Sequence, residues 1–179
     1  MMDFSTASFE ELDQHAMEQL VFGTGELSPI LKGHLFIERV LETLISQNIS
    51  NPSALFSKHR LSFELKIDLA RALGLLTEKY VSAFKALNKI RNNYAHQASY
   101  KVTFEELISL KFDWESIQQK AYKVACAKGV EEAAQIGTIF LCWKAIYLLK
   151  KPMAEQDVQK VRSARPQRVK RRGVPSGVR

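Results

Sequence analysis

Arg91-Asn92-Asn93-Tyr94-Ala95-His96 puts an arginine, carboxamides and a histidine into six residues at the end of an apolar helical pattern. Metal-free cleavage of RNA requires those kinds of group. A base takes the 2′-hydroxyl proton, a cation stabilises the phosphorane, and an acid protonates the leaving 5′-oxygen. Histidine titrates near neutrality and serves as base or acid. Arginine forks onto two phosphate oxygens. In this reading His96 is the general base or acid, Arg91 stabilises the phosphorane, and Asn92 orients the His96 ring. The same residues also suit a purely structural role, because Arg and His near a helix C-terminus cap free carbonyls and complement the dipole.

The helix itself limits the catalytic reading. Five residues correspond to about 140° of rotation, so Arg91 and His96 do not share a face of a regular helix. Asn92 and His96, four apart, do. Both functional groups reach one site only if the helix bends near Tyr94 or if a second subunit completes the site. A two-fold dimer pairing these helices would supply two histidines and two arginines. Tyr94 reads as packing the helix end, or as a platform for a base.

The elements that position this run are helical almost throughout. Ser8 caps a first helix over residues 9–22, with Glu10 and Glu11 in its first turn and Gly23 and Gly25 beyond its end. Ser28-Pro29 opens a second helix, whose apolar positions from Ile30 to Ile45 recur every three or four residues. Residues 46–60, rich in Ser, Asn and Pro, read as a loop. Ser62 caps a third helix with Leu65, Ile67, Leu69, Ala72 and Leu73 as its buried face, and Gly74 stops or bends it. A fourth helix runs from Thr77-Glu78 to about Asn93, buried through Tyr80, Val81, Phe84, Leu87 and Ile90. Thr103 and Glu106 form a capping-box pattern for a short fifth helix, and a last pair covers about 114–127 and 130–151 before Pro152. No stretch alternates with a period of two. The fold class expected is all-α, a single helical bundle of about six or seven helices over residues 1–159, with a disordered basic tail over 160–179.

The segments Gly33-His34-Leu35-Phe36-Ile37-Glu38-Arg39-Val40-Leu41-Glu42 and Leu61–Leu76, followed by Lys89–His96, resemble the HEPN superfamily, and within it the mannitol-repressor branch. The superfamily signature is an arginine, usually followed by a polar residue, then a histidine four to six residues on. Here it stands as R-x4-H with Asn92 as the polar residue. The resemblance covers about residues 34–108. It implies either a metal-independent endoribonuclease of the toxin or defence type, acting as a homodimer and partnered by an antitoxin, or a non-catalytic transcriptional regulator or interaction module. Retention of both Arg91 and His96 favours the first. The neutral body, with no basic recognition helix, counts against sequence-specific DNA reading.

The net charge of +7 resides in the tail. Residues 160–179 hold eight Lys or Arg and no acid, which leaves 18 basic and 19 acidic groups in residues 1–159. Arg165, Arg168, Lys170, Arg171 and Arg172 are the candidate contacts for RNA or other nucleic acid, through phosphate pairing that reads no sequence. Alternatively the tail is a solubilising terminus. No apolar run approaches a membrane span, and the polar, acidic N-terminus does not read as a secretory signal; a cytoplasmic location without membrane contact is expected.

Several other residues admit chemical readings. His34, Glu38 and Arg39 form a polar trio in the second helix, read as its exposed face or as support for the motif. Asp68 and Arg71 read as a surface ion pair, His15 and His59 as solvated, and Trp114 and Trp143 as core. Cys126 and Cys142, outside any C-x-x-C pair, read as buried free thiols rather than zinc ligands. Glu105-Glu106 and Glu131-Glu132 read as helix N-termini. No metal or cofactor is expected, and no phosphate-binding glycine loop or nucleophile elbow is present.

Overall fold

The computed structural model describes residues 3–18, 29–57, 60–97 and 99–150. Among these the chain forms eight α-helices and no strand: α1 (Phe9–Met17), α2 (Pro29–Gln47), α3 (Pro52–Phe56), α4 (Phe63–Ala72), α5 (Glu78–His96), α6 (Phe104–Ile108), α7 (Ser116–Lys128) and α8 (Val130–Lys150). The fold is all-α, with one continuous core. The expected glycine stop after the first helix, His59, Pro152 and the basic tail with its five candidate contacts lie outside the described residues.

Local chemistry fixes most helix starts. Ser8 and Glu11 close a capping box on α1, as do Thr103 and Glu106 on α6, each satisfying backbone donors that the first turn leaves open. The Ser62 hydroxyl accepts from the Leu65 amide at 3.2 Å to start α4. Gly74, at φ 74°, ends α4: the Leu75 amide reaches back to the Ala70 carbonyl and the Gly74 amide to that of Arg71, both at 2.9 Å, the paired bonds of a Schellman ending.

The bundle is organised around α2 and α8. α2 packs on α8, α4 and α5, while α8 also meets α1, α6 and α7. Where α2 crosses α8, a Cβ on Gly33 would lie 2.1 Å from the Thr138 methyl, so only glycine permits this approach. Neighbours on several sides explain why α8 is apolar nearly all round. Among the described residues, no helix is long and apolar enough to cross a membrane.

Four expectations require correction. The segment 46–60 is not all loop: α2 continues to Gln47, and Pro52 opens α3 because Asn51 Oδ1 accepts from the Ala54 amide at 3.2 Å. The inward face of α4 is Phe63, Lys66, Ile67 and Ala70, whereas Leu65 and Leu73 are 51% and 38% exposed. The frame rotates because Lys66 turns inward to two carboxylates of α2. Asp68 and Arg71 do not pair with each other. Asp68 meets Lys85 at 2.9 Å and Arg71 meets Glu78 at 2.8 Å, since α4 and α5 lie side by side. His15 is half-buried, edge-on to Phe4 at 5.9 Å, rather than solvated.

The other assignments divide by environment. Trp114 is core, while Trp143 is half-buried with its indole N–H donated to Asp13. Cys142 is buried, but Cys126 is only half-buried. The acidic pairs of α6 and α8 stand in their first turns.

Candidate functional site at the end of α5

α5 runs without a break to His96. The Gln97 amide still bonds the Asn93 carbonyl at 2.9 Å, and the chain leaves the helix only at Gln97, in extended conformation. The bend near Tyr94 that would turn Arg91 and His96 toward each other is absent. The two side chains therefore diverge by about 140° around one helix. His96 is exposed and Arg91 half-buried.

The structure ties Asn92 to Arg91: the guanidinium Nη1 donates to Asn92 Oδ1 at 3.0 Å. The carboxamide expected to orient His96 thus has its oxygen engaged one residue upstream. Tyr94 is half-buried against the core and meets Tyr100 edge-to-face, centroids 4.9 Å apart at 87°, an arrangement favoured by ring quadrupoles. Its ring packs the helix end.

The polar residues of α2 lie deeper than an exposed face would place them. His34 is 5% exposed. Its Nε2 lies 3.1 Å from Asn88 Oδ1, an acceptor, so this nitrogen carries the proton. The ring stacks on Phe63 with centroids 4.0 Å apart and planes 31° apart. Burial holds the His34 pKa below its ordinary value, against the opposing pull of Asn88 and the Glu38 charge; the cations of Arg91 and Lys66 add to the lowering. Arg91 is therefore close enough for its charge to act on the His34 ring.

One turn along α2, Glu38 accepts from Lys66 Nζ at 2.6 Å, and Glu42 accepts from the same nitrogen at 2.5 Å. Lys66 is 4% exposed. Burial alone would lower the pKa of its ammonium, but the two carboxylates outweigh that and hold it above the ordinary value. Arg39 points elsewhere, its guanidinium 5.8 Å from the centre of the Phe4 ring. Asn88, Phe63, Lys66 and Glu42 are thus parts of the site that sequence reasoning missed. Lys66 gave a signal, since it falls in the i, i+3, i+4, i+7 frame of Phe63, Ile67 and Ala70. So did Asn88, three residues before Arg91.

The result is a two-part arrangement. A polar layer across α2, α4 and α5, buried at His34 and Lys66 and half-buried at Glu38, Glu42 and Asn88, adjoins Arg91, and an accessible imidazole stands at the helix end. Among the described residues, no group of three or more His, Cys, Asp or Glu is placed to hold a metal ion. The chain was compared with protein-family models, curated proteins and solved structures, and none matches it.

Proposed function

We propose that this chain is a HEPN-like, metal-independent endoribonuclease that acts as a homodimer, with His96 as general base or acid and Arg91 as phosphorane stabiliser. The observation that carries this reading is the contrast between the two residues on one unbroken helix. His96 is exposed and has no side-chain hydrogen bond among the described residues, as a proton-transfer group must be to reach substrate. Arg91 is half-buried and tied to Asn92, as a preorganised cation should be. Their divergence on α5 makes a second copy of the chain a requirement of the mechanism. Asn92 then acts through Arg91, holding its fork. The basic residues of 160–179 retain RNA electrostatically, an antitoxin-like protein is the expected regulatory partner, and the site of action is the cytoplasm.

The test is RNA cleavage by the purified full chain in EDTA, compared with His96→Ala and with thermal melting of both proteins. The reading expects cleavage by the wild type, loss of it in His96→Ala and similar melting. Intact RNA with the wild type overturns it.

A second reading, a non-catalytic regulator or interaction module of the mannitol-repressor type, is favoured by the same Arg91–Asn92 tie and by the partial burial of Arg91 beside His34. Under it these residues brace the bundle. Arg91→Ala would then lower stability by about 1 kcal/mol or more, as loss of a part-buried hydrogen bond does, with no nuclease activity to lose.

A further inference from the structure

Charge is divided unevenly along this chain. Residues 1–31 hold six acidic groups and no Lys or Arg, whereas residues 160–179 hold eight Lys or Arg and no acid. The fold brings the acidic end to the point where α8 stops. α1 buries Leu12 and Ala16, packs on α8 and turns Glu10, Glu11 and Glu18 to solvent. Phe9 meets Tyr147 with ring centroids 5.1 Å apart, and Lys150 Nζ donates to the Ala7 carbonyl at 3.1 Å. The chain therefore leaves α8 beside the start of α1.

A groove of about 440 Å³ adjoins this corner. Asp3, Ser5, Glu42, Ser46, Gln47 and Phe56 line it, and among the described residues no Lys or Arg does. The Ala7 amide bonds the Asp3 carbonyl at 3.1 Å, so Asp3 lies one helical turn from the residue that holds Lys150. Asp3 Oδ1 is fixed by the Ser5 amide and hydroxyl, at 2.9 and 2.6 Å. The Glu42 side chain remains 42% exposed although its Oε1 serves Lys66. Two carboxylates, neutral oxygen acceptors and one aromatic ring suit a guanidinium, which donates to oxygens in its plane and stacks on a ring through its face.

Residues 160–179 carry the matching groups. Arg162, Arg165, Arg168 and Arg171 recur at intervals of three. In an extended conformation with three residues per turn they would share one side, about 9 Å apart. Arg165 is 15 residues beyond Lys150, a root-mean-square reach of about 20 Å for a flexible chain. A tether of that length gives an effective concentration of about millimolar, so ion pairs that are weak one by one suffice together. We propose that residues 160–172 of this chain dock in the groove beside Asp3 and along the acidic side of α1. Docking withholds these arginines from phosphates until a competing polyanion takes them. The contact itself is independent of cleavage at Arg91 and His96; its release by RNA rests on the RNA retention proposed above.

Carbodiimide coupling of the full chain reads the contact, because it joins an ammonium to a carboxylate only where the two meet. At about 20 mM salt, peptide mapping should find Lys160 or Lys170 linked to Asp3, Glu10 or Glu42. When half the chains carry ¹⁵N, the linked pairs should be isotopically uniform. Arg162→Gln, Arg165→Gln, Arg168→Gln and Arg171→Gln together keep every lysine and carboxylate. This variant should lower the yield at least about threefold, as should about 0.5 M salt with the wild type. No such link, or an unchanged yield in the arginine variant, would overturn the proposal. So would links formed equally with Glu131 and Glu132 at the other end of α8, or mixed-isotope pairs, which would place the segment on a second copy. Excess single-stranded RNA should lower the wild-type yield. A yield that holds in RNA would refute RNA retention by this segment, while the arginine variant decides docking.

Discussion

The His34 imidazole of α2 and the Asn88 carboxamide of α5 share a hydrogen bond of 3.1 Å between residues 54 apart in sequence. Asn88 stands three residues before Arg91, so this bond fixes the register of α2 against the part of α5 from which Arg91 projects. With Phe63 beneath the ring and Lys66 clasped by Glu38 and Glu42, it belongs to a layer in which each polar side chain has a named partner.

The pH dependence of stability follows from this bond. Burial lowers the folded-state pKa of His34 below its ordinary 6.5, so between the two values the unfolded chain binds more protons than the folded one. Stability contributed by neutral His34 is complete above pH 6.5 and declines as pH falls toward the folded-state value. Denaturant titrations between pH 8 and 5 should show this decline in the wild type and a shallower one in His34→Ala. That variant should also lose about 2 kcal/mol at neutral pH through its cavity and the unpaired Asn88. Equal slopes in the two proteins would refute the assignment.

Lys66→Ala should destabilise the fold by about 2 kcal/mol, since it leaves Glu38 and Glu42 facing each other without their shared cation. Lys66→Met should recover part of the loss by filling the space, and Lys66→Met with Glu38→Gln more of it. Urea denaturation reads all three. A Lys66→Ala protein as stable as the wild type would show that the clasp contributes nothing.

The α2–α8 crossing predicts a coupled pair. Gly33→Ala should cost about 1–3 kcal/mol by overpacking against the Thr138 methyl. Thr138→Ser removes that methyl, so the double variant should be more stable than the sum of the two single losses. Strict additivity in the double-mutant cycle would contradict the close approach.

These tests fall on what could and could not be read from the chain. Ser8, Ser62 and Thr103 are legible because capping is local, between a side chain and the amide three residues on, and Gly74 because glycine readily takes the left-handed conformation that ends a helix. The phase between Arg91 and His96 was legible because a regular helix turns by a fixed angle. The face of α4 was misphased because Lys66 owes its burial to Glu38 and Glu42, 28 and 24 residues earlier. Leu65 and Leu73 read as core by type, whereas the inward frame of Phe63, Ile67 and Ala70 includes a lysine whose burial only its partners on α2 explain. Asn88 is legible as a neighbour of Arg91 on one helix face, but not as the partner of His34, which lies on another helix. The five residues of α3 are too few to show an apolar period, so the Ser, Asn and Pro content of 46–60 reads as a loop.

The C-terminal basic residues predict a salt signature. Deleting 160–179 removes eight cationic groups and no anionic one, so RNA retention should weaken at low salt and the slope of log affinity against log salt should flatten. Filter binding with and without the segment measures this. Unchanged slope would place RNA contact on the helical body.

Chemistry at the RNA ends tests the central claim most directly. End-labelled RNA incubated in EDTA with the wild-type chain, and separately with His96→Ala and Arg91→Ala, should yield fragments ending in 2′,3′-cyclic phosphate with the wild type alone. All three proteins should show the same helical content and migrate as dimers. Intact RNA with the wild type, or cleavage that persists undiminished in His96→Ala, would contradict the account.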